Sequence, residues 1–310
     1  MLRLSLEALQ IIDAIARKGS FAAAAEETYR VPSAITYTIK KLEDDLGVQL
    51  FDRSGHRAKL TPAGEALLED GRQLLRAAND IECRVKRVAT GWETELRITL
   101  DVLLPFELLW PMVAAFDALE SGTRIRIARE SLAGAWESLA DNRTDLVIGA
   151  ASEAPAGGGY ATHLLGEMRF VFAVAPHHPL ASLPEPLPTS VLREHRVVAI
   201  ADSARSLLPR TVGILAGQPT LTVPNAEAKL SAQVAGLGCG HLLRSAAAPY
   251  LADGRLVEKV VQEARQSPQM HAAWRTSGSG KALRWWLDTL VQDKTIRAWL
   301  AGEGMARAVE

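Results

Sequence analysis

Ser33, Thr36, Tyr37 and Lys40 are spaced by three and four residues, which gathers them on one face of any helix that carries them. Hydroxyls placed there can meet base edges or phosphates, while Lys40 and its neighbour Lys41 suit phosphates. Pro32 stands at the head of the same stretch. Arg53, His56 and Arg57 follow around a Ser54-Gly55 turn, with Lys59 just beyond it. Together these make a candidate nucleic-acid surface. The other chemistries on offer are thinner. His177 and His178 are adjacent, and adjacent side chains diverge on a strand or helix, so a shared ion is disfavoured and a role at a strand end is expected. Gly236-Leu237-Gly238-Cys239-Gly240 looks like a phosphate loop but lacks the lysine and the strand-then-helix order. It reads as the end of a helix and the start of a strand, with Cys239 more often a buried apolar residue than a redox thiol. No Ser/His/Asp set is tied by a local motif. The expectation is no catalytic residue, no metal and no cofactor.

The elements that must hold the first set are legible in order. Ser5 can cap a helix bearing Leu6, Leu9, Ile12, Ile15 and Ala16, which Gly19 ends. Ser20 can cap a second over about 21–28, whose alanines allow close packing. Pro32 suits the first turn of a third, with Ile35, Ile39, Leu42 and Leu46 on its apolar stripe and Gly47 at its end. Two short helices joined by a tight turn describe a helix-turn-helix. The segment after Leu50-Phe51 reads as a β-hairpin, a wing carrying Arg53, Arg57 and Lys59 to the minor groove or backbone. Taken alone, these features also allow a solvated basic turn on a small helical domain.

Bulk charge does not decide between those readings. The 310-residue chain has a net charge of −1, and residues 1–90 hold 14 Lys/Arg against 13 Asp/Glu, so any DNA contact must rest on placement of cations. The length suits two or three folded units. No apolar run spans a membrane, no secretory segment is evident, and Cys83 and Cys239 are isolated, so a reduced, cytoplasmic protein without membrane contact is expected.

The ordered blocks Gly19-Ser20-Phe21-Ala22-Ala23-Ala24-Ala25, Ser33-Ala34-Ile35-Thr36, Leu42-Glu43, Leu46-Gly47, Leu50-Phe51-Asp52-Arg53 and Leu60-Thr61-Pro62-Ala63-Gly64 resemble the N-terminal signature of LysR-type transcriptional regulators. Gly91-Trp92-Glu93-Thr94 and Leu132-Ala133-Gly134-Ala135-Trp136-Glu137 are most similar to the YhaJ-like subgroup. The resemblance implies an N-terminal all-α winged helix-turn-helix over 1–60, a linker helix over 61–90 and an effector-binding domain over 91–310. It implies that Ser33, Thr36, Tyr37 and Arg53 fall where the family contacts DNA. It also implies double-stranded DNA, a small-molecule effector, RNA polymerase and a second copy (homodimer or homotetramer) as partners. Three departures stand out: Thr28 replaces a common leucine, Val31-Pro32 a common Ser–Gln, and Tyr37 a common arginine. Val31 has no side chain able to cap the third helix, leaving its early N–H groups to Ser33 or water.

From Thr61 a long helix carries Leu67, Leu74, Ala78, Ile81, Val85 and Val88 at coiled-coil spacing. Packing on its own domain is the alternative, and the resemblance favours a dimer seam. Gly91-Trp92-Glu93-Thr94 then marks a hinge. Beyond it strands and helices alternate: strands at 95–100, 124–128 and 145–149, helices at 106–119 and 132–142. A second series follows at 170–174, 196–201 and 220–223, with a helix from Asn225 and a closing helix over 283–300. Such alternation predicts parallel, doubly wound sheets in a C-terminal α/β domain of two subdomains, like periplasmic binding proteins. Subdomain I takes about 91–162 and 268–310, and subdomain II about 163–267. Ligands in these folds sit at strand carboxyl ends. That rule selects Asp101, Val102, Leu103, Ser131, Ser152, Asp202, Arg205 and Asn225 as effector-binding candidates. Leu103, Leu104, Pro105, Phe106 and Trp110 give the cleft an apolar edge, which points to an aromatic or quinone-like effector.

Overall fold

The computed structural model describes residues 4–52, 58–151, 158–208, 210–263 and 267–303, without the side chains at 83, 84, 86 and 87. The chain forms two compact units, Met1–Val85 and Lys86–Glu310.

In the first unit α1 (Leu6–Lys18), α2 (Phe21–Glu27) and α3 (Pro32–Leu46) precede a two-strand hairpin, β1 (Phe51–Asp52) with β2 (Lys59–Leu60). The caps work as the sequence predicts. Ser5 accepts from the Ala8 N–H and Ser20 from the Ala23 N–H, each at 3.1 Å, and Gly19 and Gly47 close α1 and α3 in the left-handed region. Ile11, Ile12, Ile15, Ile35, Ile39 and Phe51 are buried in one core, each contributing roughly 1.5–3 kcal/mol of apolar burial. Leu46 departs from the expected stripe and is exposed. Glu43 is buried instead, because its carboxylate accepts the Leu50 N–H at 2.8 Å and the Phe51 N–H at 3.3 Å where the chain enters β1.

The long α4 (Pro62–Thr90) is capped by Thr61, whose hydroxyl accepts from the Gly64 N–H at 3.1 Å. A Cβ on Gly64 would run into the Leu50 carbonyl, so glycine lets the helix lie directly on the head. Leu67, assigned by spacing to a partner seam, is half-buried against the head core with buried Leu68. Leu74, Ile81, Val85 and Val88 remain exposed, so the apolar seam starts one heptad later than the spacing suggests.

The second unit opens with β3 (Glu95–Asp101), α5 (Trp110–Asp117), β4 (Arg124–Glu130), α6 (Ala133–Ala140), β5 (Leu146–Ala151) and β6 (Tyr160–Glu167). It continues through β7 (Phe170–Val174), α7 (Thr189–Glu194), β8 (Val197–Ile200), β9 (Thr220–Val223), α8 (Ala226–Val234), β10 (Gly240–Leu243), α9 (Arg244–Ala252) and β11 (Val257–Lys259). The chain closes with β12 (Gln269–Arg275), α10 (Lys281–Gln292) and α11 (Thr295–Ala301). One sheet has the order β4-β3-β5-β12-β6, and the other part holds β10-β7-β11 and β8-β9, joined by a bridge from Val197 to Cys239.

Neither sheet is wholly parallel. β12 runs antiparallel to β5 and β6, and β7 antiparallel to β10 and β11. The cause is the return of the chain: β6 leaves the first subdomain and β12 re-enters it beside β6, so these strands pair head to tail. β6 was missed in the sequence because its apolar and polar residues barely alternate, and it moves the first crossover beyond Glu167. The expected closing helix is two helices broken at Asp293, which caps α11 by accepting the Ile296 N–H at 2.9 Å. The expected hinge at 91–94 is pinned. Buried Glu93 accepts the Gly280, Ala282 and Leu283 N–H groups at 2.8, 2.9 and 3.3 Å, capping α10, and the Lys281 N–H donates to the Gly91 carbonyl.

Candidate DNA interface and effector cavity

The α3 helix buries Ile35, Ile39 and Leu42 and turns Pro32, Ser33, Thr36, Tyr37, Lys40 and Lys41 to solvent. All six residues selected from the sequence therefore share an open surface. No side chain caps the helix at Val31; the Ala34 and Ile35 N–H groups donate to the Val31 carbonyl at 3.0 and 3.4 Å instead. The Thr36 hydroxyl donates to the Pro32 carbonyl at 3.0 Å, and the Thr38 hydroxyl to that of Ala34 at 3.0 Å. The β1–β2 hairpin forms the base of the expected wing, with Lys59 exposed; Arg53, His56 and Arg57 lie outside the described residues.

In the second unit a cavity of about 270 Å³ opens at the strand carboxyl ends. Of the sequence candidates it gathers Asp101, Val102, Leu103 and Ser131. Ser152 lies outside the described residues. Three others serve elsewhere. Asp202 reaches across to α6, accepting the Ala133 and Gly134 N–H groups at 3.3 and 3.2 Å, together with those of Ala204 and Arg210. Asn225 caps α8 through the Ala228 N–H at 2.8 Å. Arg205 sits on α6, its backbone N–H donating to Glu137 at 2.8 Å. The cations at the cavity are Arg210 and Lys229, with His241 beside them. Lys229 was missed because it lies within a helix, and only the packing of α8 against β7 and β10 turns it inward.

The apolar lining also differs from the expected edge. Leu104 is buried in the core, and Phe106 stacks on Trp110 with the Arg129 guanidinium over its ring. Leu103, Met168, Phe170, Leu230, Leu242 and Leu243 supply the apolar wall. Leu132, at φ 52° and ψ −120°, holds strained backbone at the cavity wall. Asp101 is buried; desolvation pushes its carboxyl up to about 7, against the Leu103 N–H and the Arg129 charge.

Polar ties join β4 and the residue after it to residues 201–203 and to α8. The Ser131 hydroxyl donates to the Ala201 carbonyl at 2.6 Å, and the Ser131 N–H to the Ser203 hydroxyl at 2.8 Å. A Cβ on Gly134 would strike the Ser203 hydroxyl, so this approach depends on glycine. Arg129 on β4 meets Glu227 on α8 at 2.6 Å. Burial would raise the Glu137 carboxyl, but the Leu207, Ser206 and Arg205 N–H groups and the Ser206 hydroxyl hold it at about 2.

His178 behaves as a strand-end residue, its Nδ1 accepting the Leu180 N–H at 3.2 Å. Cys239 is fully buried and its thiol is pushed up to about 11, which removes the thiolate that redox sensing needs. Among the described residues no three His, Cys, Asp or Glu side chains gather as a metal site, and no helix is long and apolar enough to cross a membrane.

Residues 6–65 match the family model for the bacterial regulatory helix-turn-helix protein, lysR family, and residues 89–294 match the LysR substrate binding domain. The chain is 40% identical over 291 residues to the HTH-type transcriptional regulator YeeY of Escherichia coli K12, covering 94% of each. It is 42% identical over 284 residues to the probable HTH-type transcriptional regulator YhaJ of the same organism, covering 92% of this chain and 95% of that one. Among solved structures, full-length CbnR in complex with its target DNA covers 93% of this chain and 99% of its own, with a TM-score of 0.60 at 20% identity. A full-length variant of OxyR from Pseudomonas aeruginosa gives 0.56 at 20% identity, over 94% of this chain and 95% of its own. At that identity both speak for the fold. The exposed face of α3, the hairpin base and the cavity in a LysR substrate-binding domain lead to one conclusion: the chain belongs to the LysR family of DNA-binding transcriptional regulators and is not an enzyme.

Proposed function

We propose that this regulator acts in the cytoplasm as a homodimer or a homotetramer built from dimers, and that a small aromatic or quinone-like effector switches it. In this reading residues 1–60 bind DNA, 61–90 pair two chains, and 91–310 read the effector. The exposed Leu74, Ile81, Val85 and Val88 support pairing, since apolar side chains at heptad spacing lose about 25 cal/mol per Å² by staying in water. Each dimer then sets two α3 helices in successive major grooves. Ser33, Thr36 and Tyr37 meet bases, and Lys40, Lys41, Arg53, His56 and Arg57 meet phosphates. RNA polymerase is the partner through which such a regulator acts on transcription.

The observation that carries the effector reading is the cavity itself. Its wall is largely apolar, and its few polar groups converge on one ligand. Phe170 and the leucines suit a ring. A protonated Asp101, with Lys229 and Arg210, offers donors to the oxygens of a quinone or nitro group. A ligand that favours one setting of the Ser131–Ala201 and Arg129–Glu227 ties over another shifts the angle between the subdomains; equal affinity for both shifts nothing.

The test is footprinting of full-length protein on DNA upstream of its own gene, with and without candidate effectors. Thermal shifts across quinones, nitroaromatics and small hydroxy acids complete it. Protection that an aromatic ligand alters, with a matching thermal shift, is the expected result; a response confined to hydroxy acids rejects the effector class.

A further inference from the structure

The first two turns of a recognition helix meet base edges, and here the exposed surface at that end includes Val31, Pro32 and Tyr37. Val31 is 63% exposed, Tyr37 is 68% exposed and Pro32 is exposed as well. Two of the four hydroxyls on these turns, those of Thr36 and Thr38, are bonded to the helix's own carbonyls. No side chain accepts a hydrogen bond at the cap. The first cation is Lys40, two turns in. Apolar groups this large stay in water at a cost unless a partner covers them, and no element of the described head packs over Val31 or Tyr37.

The major groove has one apolar feature, the C5 methyl of thymine, which projects from the floor where a helix N-terminus arrives. We infer that Val31, Pro32 and Tyr37 form an apolar reading edge for thymine methyl groups, so that this chain selects its operator in part by methyl contact. The inference rests on the DNA-binding reading of α3 and adds the class of base feature that this helix reads. It names Val31, a position outside the hydrogen-bonding set. Ser33 and the Tyr37 hydroxyl then supply directional contacts, while Lys40 and Lys41 hold the backbone without base preference.

Uracil differs from thymine only by that methyl, so operator chemistry tests the point without disturbing the protein. Full-length protein first selects its binding site from random duplexes. Each thymine of the selected half-site is then replaced in turn by deoxyuridine, and binding is measured at fixed salt. A buried methyl is worth about 0.8 kcal/mol, or about fourfold in affinity. The expected result is a loss of about that size at one or more thymines of each half-site. Val31→Ser or Tyr37→Ala should erase the loss at its own position, while Lys41→Ala should leave every uracil loss in place. A selected site that binds equally well with uracil throughout overturns the inference and leaves DNA binding standing. So does a uracil loss that persists unchanged in both variants. Recovery of no preferred duplex overturns the DNA-binding reading, and this inference with it.

Discussion

Replacing Asp101 by asparagine should stabilise the second unit at pH 8. Asp101 ends β3 in the cavity, is 4% exposed, and accepts the Leu103 N–H at 2.9 Å. Burial pushes its carboxyl from the ordinary 3.8 to about 7, although the Leu103 N–H and Arg129 oppose the rise. The folded chain thus holds this proton more tightly than the unfolded chain. The burden on stability is small below pH 3.8, grows as pH rises towards 7, and is constant above it. At 1.36 kcal/mol per pH unit the full burden is about 4 kcal/mol. Even about 2 kcal/mol of it is about 4–8 °C in Tm for a unit of this size. Asparagine keeps an acceptor for Leu103 and has no charge to desolvate. All 7 tryptophans lie beyond residue 90, so intrinsic fluorescence follows this unit's unfolding in the whole protein. Asp101→Asn should melt higher than wild type at pH 8, with the gap closing steadily towards pH 4.5. A variant that melts at or below wild type at pH 8, or a gap that ignores pH, refutes the assignment of a buried, proton-holding carboxyl.

Leu74→Glu places a charge in the exposed α4 seam and should leave monomers in sedimentation; an unchanged oligomer counts against pairing through this helix. Glu93→Ala should lower the Tm of the second unit by about 4–8 °C, because three N–H groups at the start of α10 lose their buried acceptor, a loss of about 2 kcal/mol. Glu137→Ala should speed proteolytic cleavage near 205–207 in the otherwise folded protein, since that segment hangs its N–H groups on this carboxylate; unchanged cleavage would mean other contacts hold it. Lys40→Ala should weaken binding to all duplexes alike and lower the salt slope by about one, and a change confined to one sequence would reassign it to a base.

Local order determined much of this protein from the sequence. Ser5, Ser20, Gly19 and Gly47 set helix ends through bonds within a few residues, and the spacing of Ile35, Ile39 and Leu42 fixed which face of α3 stays open. The six ordered blocks were enough to identify the family. Tertiary structure decided whatever depends on distant segments meeting. Leu46 and Glu43 exchanged burial because the Leu50 and Phe51 N–H groups needed an acceptor. Strand β6 exists because β12 returns beside it, a pairing between segments about a hundred residues apart that no local pattern encodes. The cavity followed the same rule. Asp101, Val102, Leu103 and Ser131 were legible as strand-end positions, whereas Lys229 and His241 entered only because α8 and β10 pack against β7. Asp202 and Arg205, also at a strand end, were drawn away to α6, where its free N–H groups and the Glu137 carboxylate bind them more completely than an open cavity would. Hydrogen-bond demand at buried helix ends is a property of the assembled fold, and it decided which strand-end residues remained available to a ligand.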